Sequence, residues 1–125
     1  MNIQAMILVF VGGGLGSLVR YLLSIWLNQL KYFYLGTLLA NIIAAFLIGL
    51  FLYNYEIQPD KHWIKFFLTV GFCGGLSTFS AFSNENLSLI QQSRYLELII
   101  YIVLSIILGI IACLLGYKWA NGSLF

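Results

Sequence analysis

Between positions 77 and 86 the chain reads Ser77-Thr78-Phe79-Ser80-Ala81-Phe82-Ser83-Asn84-Glu85-Asn86, and seven of these ten residues are Ser, Thr, Asn or Glu. Phe79 and Phe82 are three apart, so on a helix both project to one face. The edge of a phenyl ring carries the positive end of its quadrupole. Set among the hydroxyls of Thr78, Ser80 and Ser83, such edges form a weakly polarising lining for an anion. No fixed cation is needed there, and conduction requires binding strong enough for entry yet weak enough for exit. Two phenylalanines at helical spacing are equally what a bundle core contains, and the run alone leaves both roles open.

Other polar residues sit in apolar surroundings. Thr37 and Asn41 are one helical turn apart, and an amide at membrane depth must find partners or water. Asn41 serves either as an interhelical hydrogen-bonding group or as an NH donor to a passing anion. Arg20 and Glu85 are deep ionisable residues that must face protein or water. They either pair with one another, or Arg20 lines an aqueous vestibule that attracts anions. His62 reads as a loop histidine. Cys73 and Cys113 lie singly in apolar stretches and make neither a disulfide framework nor a metal motif.

The elements that must position these groups follow from composition. Of 125 residues, 62% are hydrophobic and only 8% are charged. Soluble domains carry roughly 25% charge, and this chain cannot cover a water-facing surface. A soluble enzyme and a disordered chain are excluded, and a net charge of +2 is too small for a nucleic-acid footprint. The expectation is an all-α integral membrane bundle, since a helix crosses about 30 Å of hydrocarbon with about 20 apolar residues. Four spans are expected in a single domain over 1–125, at about 3–27, 33–55, 63–92 and 96–119. Asn28, Gln29 and Lys31 connect the first pair, and a polar loop over 56–61, holding Pro59, connects the second. No cleavable leader is evident, so the first apolar segment is expected to remain in the mature protein.

The third span is the irregular one. Gly71, Gly74 and Gly75 lie just before the polar run, and glycine lowers helix preference. A break near 74–78 is expected, because non-helical backbone at membrane depth survives only inside protein or beside a water-filled cavity. Small-residue ridges recur at Gly12–Gly16, at Gly36, Ala40 and Ala44, at Ala45 and Gly49, and at Ser105, Gly109 and Cys113. They permit close helix approach or a close subunit interface. Tyr53, Tyr55, Trp63, Tyr117 and Trp119 would mark one membrane face, and Trp26, Tyr32, Tyr34 and Tyr95 the other. Lys61, Lys65 and Lys118 stand on one side against Lys31, Arg94 and an Arg20 that reaches that interface. Orientation rules need a bias, and this balance shows almost none. Either something else sets the orientation, or the chain inserts both ways and pairs antiparallel.

The run from Gly71 to Glu85 closely resembles the signature of the CrcB/Fluc fluoride channel family. So do Gly36-Thr37-Leu38-Leu39-Ala40-Asn41 and the segment Gly12-Gly13-Gly14-Leu15-Gly16 followed by Arg20-Tyr21. The resemblance covers the whole chain. It implies a dual-topology antiparallel homodimer in a bacterial inner membrane lipid bilayer, with two passive pores that export fluoride ion and relieve its toxicity. It implies a structural sodium ion held by backbone carbonyls of Gly74 and Ser77 from each copy. Pore residues implied are Asn41, Thr78, Phe79, Ser80, Phe82, Ser83 and Ser105, with Arg20 near the vestibule and Glu85 after the track. Many members carry a hydroxyl where this chain has Ala81, so one donor is missing.

Two other classes compete. A small proton-coupled multidrug-type exporter shares length and span count, but it needs a glutamate in its first helix, where this chain has Arg20 and no acid. A non-conducting assembly subunit would not need the run over 77–85. An intramembrane enzyme lacks any Ser/Lys pair or metal-ligand cluster to build on.

Overall fold

The computed structural model describes residues 2–27, 32–57 and 60–122, and among these it is helical with no strand. Helix α1 spans Ile3–Leu27 and α2 spans Leu35–Ile57. A π-helical run, Ile64–Cys73, passes directly into a single α turn, α3, at Gly74–Leu76. Then come α4 at Phe79–Gln91 and α5 at Tyr95–Ala120. Four stretches, Ile3–Leu27, Leu35–Ile57, Ile64–Gln91 and Tyr95–Ala120, are long and apolar enough to cross a bilayer. The 25-residue α1 reaches about 37 Å, which exceeds the hydrocarbon thickness of about 30 Å and leaves room for tilt. The connection through Asn28, Gln29 and Lys31, and Pro59 in the second loop, lie outside the described residues.

Two close helix pairs build the bundle: α1 against the stretch 64–76, and α2 against α5. Glycines bring their backbones together. A Cβ added at Gly12 would stand 2.3 Å from the Phe67 carbonyl oxygen, and one at Gly16 would stand 2.0 Å from that of Phe72. Across the second pair, Gly49 faces the Cys113 carbonyl oxygen and Gly116 faces that of Phe46, each at 2.0 Å from an added Cβ. Without a hydrophobic driving force between helices in lipid, such contact supplies the packing. Between the pairs, Ala40, Ala44, Cys73 and Leu76 are fully buried, with Leu23, Ile43, Phe51 and Phe72 around them.

The expected ridge at Ser105, Gly109 and Cys113 divides. The Cys113 backbone packs on Gly49, but a Cβ at Gly109 meets nothing within 4 Å. The buried stripe of α5 is Tyr101, Ala112 and Gly116. Ser105 instead lines a cleft.

Helix α4 ends in a Schellman-type turn. Ser93 takes φ 56°, the Arg94 N–H donates to the Leu89 carbonyl (2.9 Å), and the Ser93 N–H donates to that of Ile90 (2.9 Å). This reversal returns the chain so that α5 runs back along α4.

At the other end of α5, the Tyr117 hydroxyl donates to Glu56 at 2.8 Å and the Tyr53 and Tyr117 rings meet edge to face. Lys65 lies 5.4 Å over the Tyr55 ring. These groups gather polar and aromatic atoms where an interface would need them.

Candidate functional site: a cleft beside an interrupted third span

Within the third span the backbone leaves the helical region at two residues. Ser77 has φ −78° and ψ 149°, and Thr78 has φ −153° and ψ 121°. The Ser77 N–H closes the upstream helix on the Cys73 carbonyl (2.9 Å), and its hydroxyl donates to the same oxygen (2.9 Å). The Thr78 N–H does not continue the ladder; it donates to Asn41 Oδ1 at 2.8 Å. Downstream, Thr78 Oγ1 caps α4 by accepting from the Ala81 N–H at 3.3 Å, and it shares a 2.9 Å hydrogen bond with Ser80 Oγ. A buried backbone group off the ladder needs such a partner, and α2 supplies it.

Asn41, Ser77, Thr78, Phe79, Phe82, Ser105 and Ile106 line one cleft of about 320 Å³. The Asn41 bond fixes its amide: with Oδ1 accepting from Thr78, the NH2 end is the donor left for the cleft. Phe79 and Phe82 lie with ring centroids 5.8 Å apart. Phe82 continues to Tyr101, centroid to centroid 5.1 Å. Ser105 Oγ donates to the Tyr101 carbonyl at 2.7 Å, one turn back on α5.

Beyond Phe82 lies a buried acid. Glu85 Oε1 accepts from Thr37 Oγ1 and Oε2 accepts from the Tyr101 hydroxyl, both at 2.6 Å. These are short hydrogen bonds from two different helices. Glu85 is 8% exposed and Tyr101 1%. Arg20 is elsewhere: its Nε donates to the Gly75 carbonyl at 3.2 Å, which Ser17 Oγ also approaches at 3.4 Å. Of the two roles open for these ionisable residues, the mutual pair is therefore not formed. Arg20 instead puts positive charge on the carbonyl end of the helix before the interruption, where it is favourable.

Gly74, Ser80 and Ser83 lie exposed on the outside of the single chain, and Phe79 is 80% exposed. Among the described residues no three His, Cys, Asp or Glu side chains gather into a metal cluster. Backbone carbonyls around the interruption are the hard oxygen donors available to a cation.

Tyr101 and Tyr34 were missed by reading the residues alone. Tyr101 carried one signal: a phenol in an otherwise apolar stretch, one turn before Ser105. Tyr34, just ahead of α2, stacks on Tyr101 with centroids 4.7 Å apart and planes at 28°. Its hydroxyl donates to Glu97 Oε2 at 3.1 Å, and Glu97 in turn takes Arg94 Nε at 2.8 Å and Nη2 at 2.5 Å. Those bonds hold the pKa of the Arg94 guanidinium above its usual value.

Fold and site together define a multi-pass membrane protein whose interrupted span faces a donor-lined cleft. The profile of the family described as CrcB-like protein, Camphor Resistance (CrcB), matches residues 7–117. A protein of Pyrococcus abyssi named fluoride-specific ion channel FluC is 42% identical over 125 residues, covering 97% of this chain and 99% of its own. Proteins of that name from Ignicoccus hospitalis (40% over 118 residues; 94% and 96% covered) and Flavobacterium psychrophilum (44% over 111 residues; 86% and 90% covered) are similar too. The chain belongs to the CrcB family.

Proposed function

We propose that this chain is a passive, fluoride-selective channel of the bacterial inner membrane, built as an antiparallel homodimer with two pores along the subunit interface. The observation that carries the reading is the cleft lined by Asn41, Ser77, Thr78, Phe79, Phe82 and Ser105, with the Phe82 ring leading on to Tyr101 of the buried Thr37–Glu85–Tyr101 cluster. Fluoride is small and strongly hydrated, so a path must replace its water with donors. The Asn41 amide, the hydroxyls of the Thr78–Ser80 pair and of Ser83, and the edges of Phe79 and Phe82 are such donors, while Ser105, whose hydroxyl proton goes to the Tyr101 carbonyl, lines the same cleft. None carries a full charge, which favours release.

The dimer is supported by what one chain leaves uncovered. Phe79, Ser80 and Ser83 stand exposed on α4, and hydroxyls turned to lipid are costly. A second copy would cover them and close the other wall of the cleft. Two copies in opposite orientations supply the inverted pair that many transporters carry within one chain. They would also bring two sets of Gly74 and Ser77 carbonyls together. The donor set suits sodium: Gly74 is exposed, nothing lies within 4 Å of its Cβ position, and the Thr78 N–H has turned away to Asn41. When bound, the ion supplies fixed positive charge beside the path. This chain's residues do the positioning: Arg20 and Ser17 hold the Gly75 carbonyl, and Asn41 holds the turn at Thr78.

Hydrogen fluoride enters an acidified cell as a neutral molecule and dissociates inside; the channel lets the trapped anion leave. The test is rescue of bacteria made hypersensitive to fluoride. Expression of this chain should restore growth in fluoride, and an Asn41→Asp variant, which places a like charge in the path, should not. Growth no better than with an empty vector would overturn the reading.

A further inference from the structure

Resting on that reading, we propose that Tyr34 is a positioning residue: tied by its hydroxyl to the Arg94–Glu97 pair, it holds the Tyr101 phenol against Glu85. The geometry is one connected chain. Arg94 grips Glu97 with two nitrogens, at 2.8 and 2.5 Å. The carboxylate accepts from Tyr34 at 3.1 Å. The Tyr34 ring lies nearly flat on Tyr101, and the Tyr101 hydroxyl reaches Glu85 at 2.6 Å.

Each link has a physical reason. A stacked ring pair fixes the plane of both rings, and the plane of Tyr101 decides where its hydroxyl points. Tyr34 is itself fixed from three sides. Its carbonyl accepts from the Leu38 N–H at 3.0 Å, at the start of α2. Phe33 meets its ring edge to face at 5.6 Å, and Glu97 takes its hydroxyl. Tyr34 also stands three residues before Thr37, so one face at the start of α2 addresses both donors of Glu85. Arg94 belongs to the turn after α4 and Glu97 to the first turn of α5. The pair therefore ties the α4–α5 reversal to the start of α2. A half-exposed ion pair such as this one contributes little to stability by itself, which makes its value here geometric.

The test is a double-mutant cycle on fluoride efflux from proteoliposomes, using the full chain. Tyr34→Leu removes the stack and should lower flux about two- to thirteenfold, the range a ring pair spans. Tyr34→Phe keeps the ring, loses the tether to Glu97, and should fall less. In a Tyr101→Phe background, where there is no phenol left to aim, Tyr34→Leu should change flux less than about twofold. A merely structural role would give additive losses, and additive losses or an unchanged Tyr34→Leu flux overturn the proposal. Should Tyr34→Leu not purify at wild-type size, Tyr34→Phe and Glu97→Gln carry the same cycle with smaller drops. A second readout is independent of conduction. A fluorotyrosine at position 101 should change its fluorine NMR shift in Tyr34→Phe, which keeps the stacked ring but loses its tether to Glu97, and an unchanged shift overturns the positioning role. If the unmodified chain conducts no fluoride, the channel reading fails, while the fluorine shift still decides whether Tyr34 holds Tyr101.

Discussion

A phenylalanine and an amide in the cleft and a carboxyl group buried behind it have different duties, and each follows from its contacts. Phe82 bridges the cleft and the Glu85 cluster, 5.8 Å from Phe79 and 5.1 Å from Tyr101. Phe79→Ile or Phe82→Ile should lower fluoride flux at least tenfold while the protein elutes at its wild-type size. Ring edges are lost, yet apolar volume is nearly kept. Wild-type flux in both variants would remove the rings from the mechanism. Glu85 is buried with two donors, so Thr37→Val leaves a carboxylate oxygen without its partner and should cost about 1.5–3 kcal/mol in detergent-unfolding measurements. Much at this scale was legible in the sequence. The residues from Ser77 to Glu85 announced themselves as polar groups in an apolar chain, as did Asn41 and Arg20. What each bonds was not legible. From sequence, Arg20 was the partner in view for Glu85; the fold places Thr37 and Tyr101 beside it instead, 48 and 16 positions away in sequence. Tyr34 looked like an interfacial aromatic, because ring stacking across the start of α2 and α5 leaves no local pattern.

Helices in this bundle meet through glycine, and the glycines are not equivalent. Gly49→Ala or Gly116→Ala would drive a methyl to 2.0 Å from a carbonyl oxygen of the facing helix. Each should lower thermal stability, at a cost of about 1–3 kcal/mol, as overpacking does. Gly109→Ala, with nothing within 4 Å, should leave the stability of one subunit unchanged. Equal effects at all three positions would contradict the packing described. Four membrane-crossing helices could be read from hydropathy, since nothing but apolar length is needed for that signal. Which small-residue ridge faces which helix could not, and α5 shows why. Ser105, Gly109 and Cys113 share a ridge, but the line of closest packing on α2 runs through Ala112 and Gly116. Rotation of a nearly uniform apolar helix is set by its neighbours.

The whole molecule, as one chain, displays a donor-lined cleft on one wall and exposed Phe79, Ser80 and Ser83 beside it. The antiparallel pairing proposed above would account for both. It predicts that tags fused to the C-terminus report from both sides of the membrane in near-equal amounts, and a single orientation would contradict the pairing. The near-even split of basic residues between the two ends agrees with that expectation. The most direct test of the central claim is ion efflux from liposomes holding the purified protein, followed with a fluoride electrode and, in parallel, a chloride electrode. Rapid fluoride efflux is expected, with no chloride efflux above that of empty liposomes. Fluoride efflux equal to that of empty liposomes, or chloride leaving as fast as fluoride, would contradict it.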